Sequence, residues 1–222
     1  MSISVVTVTA GLSEPSSTRL LADQLASAVE TQVSNRGESA QIEFIELREL
    51  AVDLATTMLS GGLPTPAVAH ALDLVAHADA LIAVSPAFKA SYSGLFKLFF
   101  DVLDQDALAD VPTLLAATGG TPRHSLMLDH AMRPLFAYMH AMVVPTGVFA
   151  ATEDFGSTEA STSLASRIRR AAGELVTQVL MQGNTVAGFL GDDDARPARP
   201  SATTLGTSPD FATLLKGHDG RG

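Results

Sequence analysis

No cysteine occurs anywhere in the 222 residues, and that absence removes disulfides, thiolate nucleophiles, thiolate-ligated zinc and iron–sulfur clusters together. Any redox chemistry has to come from a bound cofactor. Cations are scarce as well: 14 lysines and arginines face 24 aspartates and glutamates, a formal net charge of −10. Such a surface repels a polyanion and sets nucleic acid aside as a partner. No basic segment precedes the apolar stretch from Met1 to Thr9, which is far too short to span a bilayer. The expectation is a cytoplasmic protein with no membrane association. Neither a Walker lysine nor a GxGxxG follows that first stretch, which disfavours a nucleoside triphosphate site and a Rossmann dinucleotide site.

Apolar residues are plentiful, at 46%, enough for one substantial core. Short apolar runs alternate with longer amphipathic segments. The runs predict strands over Ile3 to Thr9, Gln41 to Leu47, Ala80 to Val84, Thr113 to Thr118 and Val143 to Ala150. Pro86 is expected to end the third, and the alternation of the second places it near a sheet edge. Between them, Leu20, Leu21, Leu25, Ala28, Val29 and Val33 recur at helical spacing. Further helices are predicted at Pro66 to Ala78, Gly94 to Leu103, Ser125 to Met142 and Ser157 to Met181, with a variable stretch around Gly61, Gly62 and Pro64. Five alternating βα units imply an α/β fold: a five-stranded parallel sheet covered on both faces, in the order 2-1-3-4-5. Residues 1–182 form this domain. Residues 183–222 carry Asp192-Asp193-Asp194 and Arg196-Pro197-Ala198-Arg199-Pro200, a polar composition expected of a tail or docking arm.

In such a sheet ligands bind beyond the carboxyl ends of the strands, here in the loops after strands one, three and four. The first loop, Gly11-Leu12-Ser13-Glu14-Pro15-Ser16-Ser17-Thr18-Arg19, clusters hydroxyls where a helix begins. Free N–H groups and the positive dipole end then suit a phosphate monoester, although the same serines serve equally as helix caps. The second, Ser85-Pro86-Ala87-Phe88-Lys89-Ala90-Ser91-Tyr92-Ser93-Gly94, pairs two aromatics with small residues, as a flat ring requires. Taken singly, Phe88 is expected in the core and Lys89 and Lys97 as solvated charges. The third, Thr118-Gly119-Gly120-Thr121-Pro122-Arg123-His124, puts two glycines after a buried strand, where they allow positive φ and close approach of backbone to a ligand, although a simple tight turn explains the pair equally well. His124 is expected as a partly exposed surface residue.

Together these loops resemble the NADPH-dependent FMN reductase family of flavodoxin-like proteins, a three-layer sandwich, and most closely the flavin reductases of bacterial alkanesulfonate use. The resemblance covers about Ile3 to Met181. It rests chiefly on Pro86-Ala87-Phe88-Lys89-Ala90-Ser91-Tyr92-Ser93-Gly94 with Lys97 and Asp101, and on Ala117-Thr118-Gly119-Gly120-Thr121 with His124, Asp129, Arg133 and Pro134. It implies that Ser13, Ser16, Ser17, Thr18 and Arg19 hold the FMN phosphate, with Glu14 turned away. Pro86, Ala87, Phe88, Lys89 and Ser91 would contact the flavin ring and ribityl chain, and Thr118, Gly119 and Gly120 the pyrimidine side.

The resemblance further implies hydride transfer from NADPH or NADH to FMN with no catalytic acid or base. Reduced FMN would pass to a flavin-dependent monooxygenase, and the protein would assemble as a homodimer or homotetramer. An FMN-retaining quinone or azo reductase and a flavodoxin-like electron-transfer module are the alternatives. His130 resembles an inserted residue that widens a helical turn in the alkanesulfonate-type reductases, which predicts a π-bulge there and a subunit interface near the flavin.

Overall fold

The computed structural model describes residues 2–156 and 158–183. Four strands build the centre of one parallel sheet: β1 (Ser2–Thr9), β2 (Ser39–Glu46), β3 (Ala80–Phe88) and β5 (Pro112–Gly119). The two-residue β4 (Ser91–Tyr92) folds back antiparallel on the end of β3. Beyond β5 lie β6 (Met142–Val143) and β7 (Val148–Ala151), both parallel to it. Among the described residues the sheet therefore counts seven strands, with β2-β1-β3-β5-β6 in line and β4 and β7 off that path. The expected order 2-1-3-4-5 is this order with the fifth strand broken in two. Pro145 lies in the break, where no ladder N–H is available from it. Arg133 donates to the Val144 carbonyl at 3.0 Å, and Glu174 accepts the Thr146 N–H at 2.8 Å, so side chains satisfy the interrupted backbone.

Among the described residues six α-helices cover the sheet: α1 (Ser17–Ser34), α2 (Ala51–Leu59), α3 (Pro66–His77), α4 (Gly94–Val102), α5 (Arg133–Tyr138) and α6 (Thr158–Gly183). Leu21, Leu25, Val29 and Val33 of α1 and Leu164, Ile168, Leu175 and Val176 of α6 bury against one face with Val5, Ile82, Val84 and Leu114. Of the stripe predicted for α1, Leu21, Leu25, Val29 and Val33 are buried and Ala28 partly so, while Leu20 is exposed. On the other face α2, α3, α4 and α5 enclose Val6, Val8, Leu81, Leu115, Phe96, Phe99, Phe100 and Phe136. Strand residues alternate between these two cores as the pleat demands. The expected exposure of β2 is also met, since it forms one edge of the sheet and has a single buried position, Ile45.

Three expectations fail. Pro86 does not end the third strand, which continues to Phe88. Pro86 stands opposite Thr118 in the last pair of the β3–β5 ladder, where its missing N–H interrupts no further bond. Helix α2 falls where the apolar pattern predicts none, because a polar residue, Thr57, occupies a buried position on its inner face and donates to the Asp53 carbonyl. The helix predicted over Ser125 to Met142 is instead a π-helical turn, Leu128–Met132, followed by the short α5. His130 lies within that π turn, as the inserted-residue pattern implied. The expected tail lies, after Gly183, outside the described residues. Among the described residues no helix is long and apolar enough to cross a membrane.

Candidate active site

The first loop is closed by its own side chains. Ser16 caps α1, its Oγ accepting from the Arg19 N–H at 3.2 Å. The chain folds so tightly that a Cβ on Gly11 would stand 2.1 Å from that Oγ and 3.1 Å from the Thr18 Cβ. The first N–H groups of α1 have no acceptor within the helix, and an anion is favoured at that end. At the last position of β1 the buried Thr9 hydroxyl has no hydrogen-bond partner among the described residues. Glu14 points outward to Arg48, at 3.2 Å, as a phosphate loop requires. Arg19, by contrast, is committed sideways: it pairs with Asp23 at 2.8 Å and with Glu46, and its guanidinium lies 4.2 Å from the centre of the Phe44 ring. Partial burial works against its charge, yet the two carboxylates raise its pKa above the usual arginine value.

The second loop is a hairpin. Ala87 pairs with Tyr92 and Phe88 with Ser91, leaving Lys89 and Ala90 as the two-residue turn, both at positive φ, 51° and 67°. Such turns favour Asn and Gly at those places, so a lysine and an alanine here carry local strain. Behind the turn, Ser85 Oγ accepts the Ser93 N–H at 3.0 Å, and Ser93 Oγ accepts the Phe96 N–H at 3.1 Å, which caps α4. Phe88 is 44% exposed, which corrects its expected place in the core: it lies beyond the last β3–β5 pair, Pro86 with Thr118, and pairs only with Ser91 of the hairpin. An aromatic face is thereby offered to the ligand edge.

Replacing Ala90 with glycine is expected to relieve about 1 kcal/mol of left-handed strain and to raise the Tm by roughly 2–4 °C for a domain of this size. A fall in Tm by differential scanning calorimetry would show that the turn is not strained.

In the third loop neither glycine takes a positive φ among the described residues. Gly119 is required instead by close approach, since a Cβ there would stand 2.8 Å from Phe149 Cζ and 3.4 Å from the Ala87 Cβ. A Cβ on Gly120 would meet open space, so that backbone unit is accessible. Thr118 joins the loops. Its Oγ1 lies 2.8 Å from Thr18 Oγ1, a buried bond between residues 100 apart in sequence. The three loops thus meet at one edge: Thr18 with Thr118, Pro86 opposite Thr118, Ala87 beside Gly119.

Sequence reasoning names Thr18 and Thr118 but not their bond, and it misses Phe149 and the Ser85–Ser93 pair. The alternation of the fifth strand turns Phe149 to the same face as Gly119's neighbours and is the available signal. Among the described residues no cluster of His, Asp and Glu is arranged to hold a metal. The edge has a hydroxyl-rich helix start, an exposed aromatic and accessible backbone, which fits a phosphorylated flat ring.

A family model described as NADPH-dependent FMN reductase matches residues 3–156. The chain is 40% identical over 171 residues to the NADH-dependent FMN reductase SfnE of Pseudomonas putida, covering 77% of this chain and 89% of that protein. Among solved structures, an oxidoreductase from Corynebacterium diphtheriae is similar at 50% identity and a TM-score of 0.77, covering 81% of this chain and 97% of that one. A flavodoxin, WrbA-like protein from Agrobacterium tumefaciens shares the fold at 16% identity and a TM-score of 0.53, over 80% of this chain and 96% of that one.

Proposed function

The chain belongs to the NADPH-dependent FMN reductase family and is an NAD(P)H-dependent FMN oxidoreductase of flavodoxin-like fold, and from that premise we propose how its ligand edge divides the work. Ser13, Ser16, Ser17 and Thr18 hold the FMN phosphate at the start of α1. Arg19, engaged with Asp23, Glu46 and Phe44, braces that loop from outside. Pro86, Ala87, Phe88, the backbone of Lys89 and Ser91 take the ring and ribityl chain. Thr118, Gly119 and Gly120 take the pyrimidine side. The flavin supplies the redox chemistry, accepting hydride from the nicotinamide. The chain's own groups orient and polarise: Phe88 offers a face for the ring, and the N–H groups of Gly119 and Gly120 favour negative charge at the pyrimidine edge. No acid or base is assigned. The observation that carries this reading is the buried Thr18–Thr118 bond, which holds the phosphate cradle and the pyrimidine loop in one frame.

Reduced FMN leaves this site and serves a flavin-dependent monooxygenase, and copies of the chain associate as a homo-oligomer. The open side of Gly120 and the exposure of Phe88 support exchange of the flavin. Apolar exposure at Val52, Leu59, Leu63 and Tyr138 supports association. The test is flavin content after gel filtration combined with reduction of ferricytochrome c across a dialysis membrane. A colourless protein that reduces the separated acceptor through added FMN is expected. Flavin that stays with the protein, with fast quinone turnover, would overturn release and favour a retained prosthetic group.

A further inference from the structure

Resting on the reductase reading, we infer that Lys89 and Arg123 bracket the nicotinamide dinucleotide by its phosphates, forming an electrostatic anchor separate from the cradle of the FMN phosphate. The dinucleotide carries at least two negative charges at its pyrophosphate and approaches a protein of net charge −10, so it needs locally uncompensated cations. Most cations around the ligand edge are already spent. Arg19 pairs with Asp23 and Glu46, Arg48 with Glu14 and Glu46, Lys97 with Asp101, Arg133 with Asp129 and Arg167 with Asp154. Each of these has a carboxylate within its own contact shell, and an incoming phosphate would compete with it.

Two cations on the loops differ. Lys89 stands at the exposed tip of the second-loop hairpin, held there by a positive-φ backbone, and makes no ion pair among the described residues. Arg123 is the central residue of the 3-10 turn Pro122–His124 directly after the third loop, is exposed, and likewise makes no ion pair among them. The turn has no acidic residue. A cavity of about 480 Å³ beside it is lined by Pro122, Leu126, Asp129, Glu153, Asp154 and Arg167 among others, and Arg123 is not one of its lining residues. The β3–β5 pairing sets the two cations on neighbouring loops, with Pro86 opposite Thr118. Exposed Phe88 adjoins Lys89 in sequence. An exposed aromatic beside two cations that make no ion pair among the described residues suits a molecule of two flat rings joined by a pyrophosphate.

The test replaces Arg123 and Lys89 by alanine, singly and together, and follows steady-state FMN reduction. Loss of one charge-assisted contact is expected to raise the KM for NADH about tenfold in each single variant, and more in the double. In the Arg123 variants the KM for FMN and kcat are expected to stay within about twofold, and Arg123→Lys to recover part of the loss. The salt dependence of kcat/KM for NADH should flatten in the double variant. Binding of ADP-ribose, measured by calorimetry on the parent and variants, reads the anchor without turnover and is expected to weaken in parallel. A KM for FMN that moves as much as that for NADH in Arg123→Ala, or unchanged ADP-ribose affinity in the double variant, overturns the anchor. A parent that binds ADP-ribose through these residues yet fails to reduce FMN overturns the reductase reading instead.

Discussion

Gly11→Ala is expected to raise the KM for FMN by about tenfold or more while changing riboflavin turnover little. The added Cβ would fall 2.1 Å from Ser16 Oγ and 3.1 Å from the Thr18 Cβ. Ser16 can rotate away, but then the Arg19 N–H loses its acceptor and the cap is lost, at a cost of about 1 kcal/mol to α1. Thr18 cannot rotate away freely, because it is buried and bonded to Thr118. The backbone must shift instead, and the N–H groups that would meet a phosphate shift with it. Riboflavin has the ring but no phosphate, so it reads only the other two loops. Paired measurements of KM for FMN and riboflavin separate these cases. Equal shifts for the two flavins would mean that the first loop is not the phosphate cradle.

The second large effect lies behind the hairpin. Phe96 is fully buried, with ring centres 5.7 Å from Tyr92, 4.7 Å from Phe100 and 6.2 Å from Phe136. Tyr92 is the hairpin residue paired with Ala87, so this ring cluster joins the core to the ring-binding loop. Removing a buried phenyl group costs about 3–5 kcal/mol through lost transfer energy and the cavity left behind, a large share of the roughly 5–15 kcal/mol typical of a folded domain. Phe96→Ala is therefore expected to lower the urea midpoint markedly at unchanged m. Phe96→Leu, which refills most of the space, is expected to cost on the order of 1 kcal/mol and to keep FMN turnover. Destabilisation of the alanine variant below about 1 kcal/mol would show that the cluster does not support the core as described.

Much of this molecule is legible in its amino-acid sequence. Leu21, Leu25, Val29 and Val33 of the predicted α1 stripe bury as their spacing requires, whereas Leu20 at its start is exposed, because an amphipathic helix is read from its periodicity and its ends are not. Where chemistry other than apolar burial determines the backbone, periodicity fails. Thr57 hides α2 by satisfying its hydroxyl on its own helix. The break between β6 and β7 is satisfied by Arg133 of α5 and Glu174 of α6, side-chain contacts that no apolar period records. The glycines of the third loop stand out in the sequence, yet the reason is the Phe149 ring beside Gly119 rather than a left-handed backbone. At the site, residue types point to the loops, but only the tertiary structure brings Thr18 to Thr118 and turns Arg19 aside to Glu46.

The most direct test is anaerobic reduction of FMN by the purified full chain, followed by the loss of the visible absorption of oxidised flavin, with NADH and NADPH supplied in turn. Catalytic bleaching of a molar excess of FMN by at least one of the two nucleotides, absent without protein, is the predicted result. Failure to bleach FMN with either nucleotide, from protein whose unfolding is cooperative, would contradict the assignment of this ligand edge to flavin reduction.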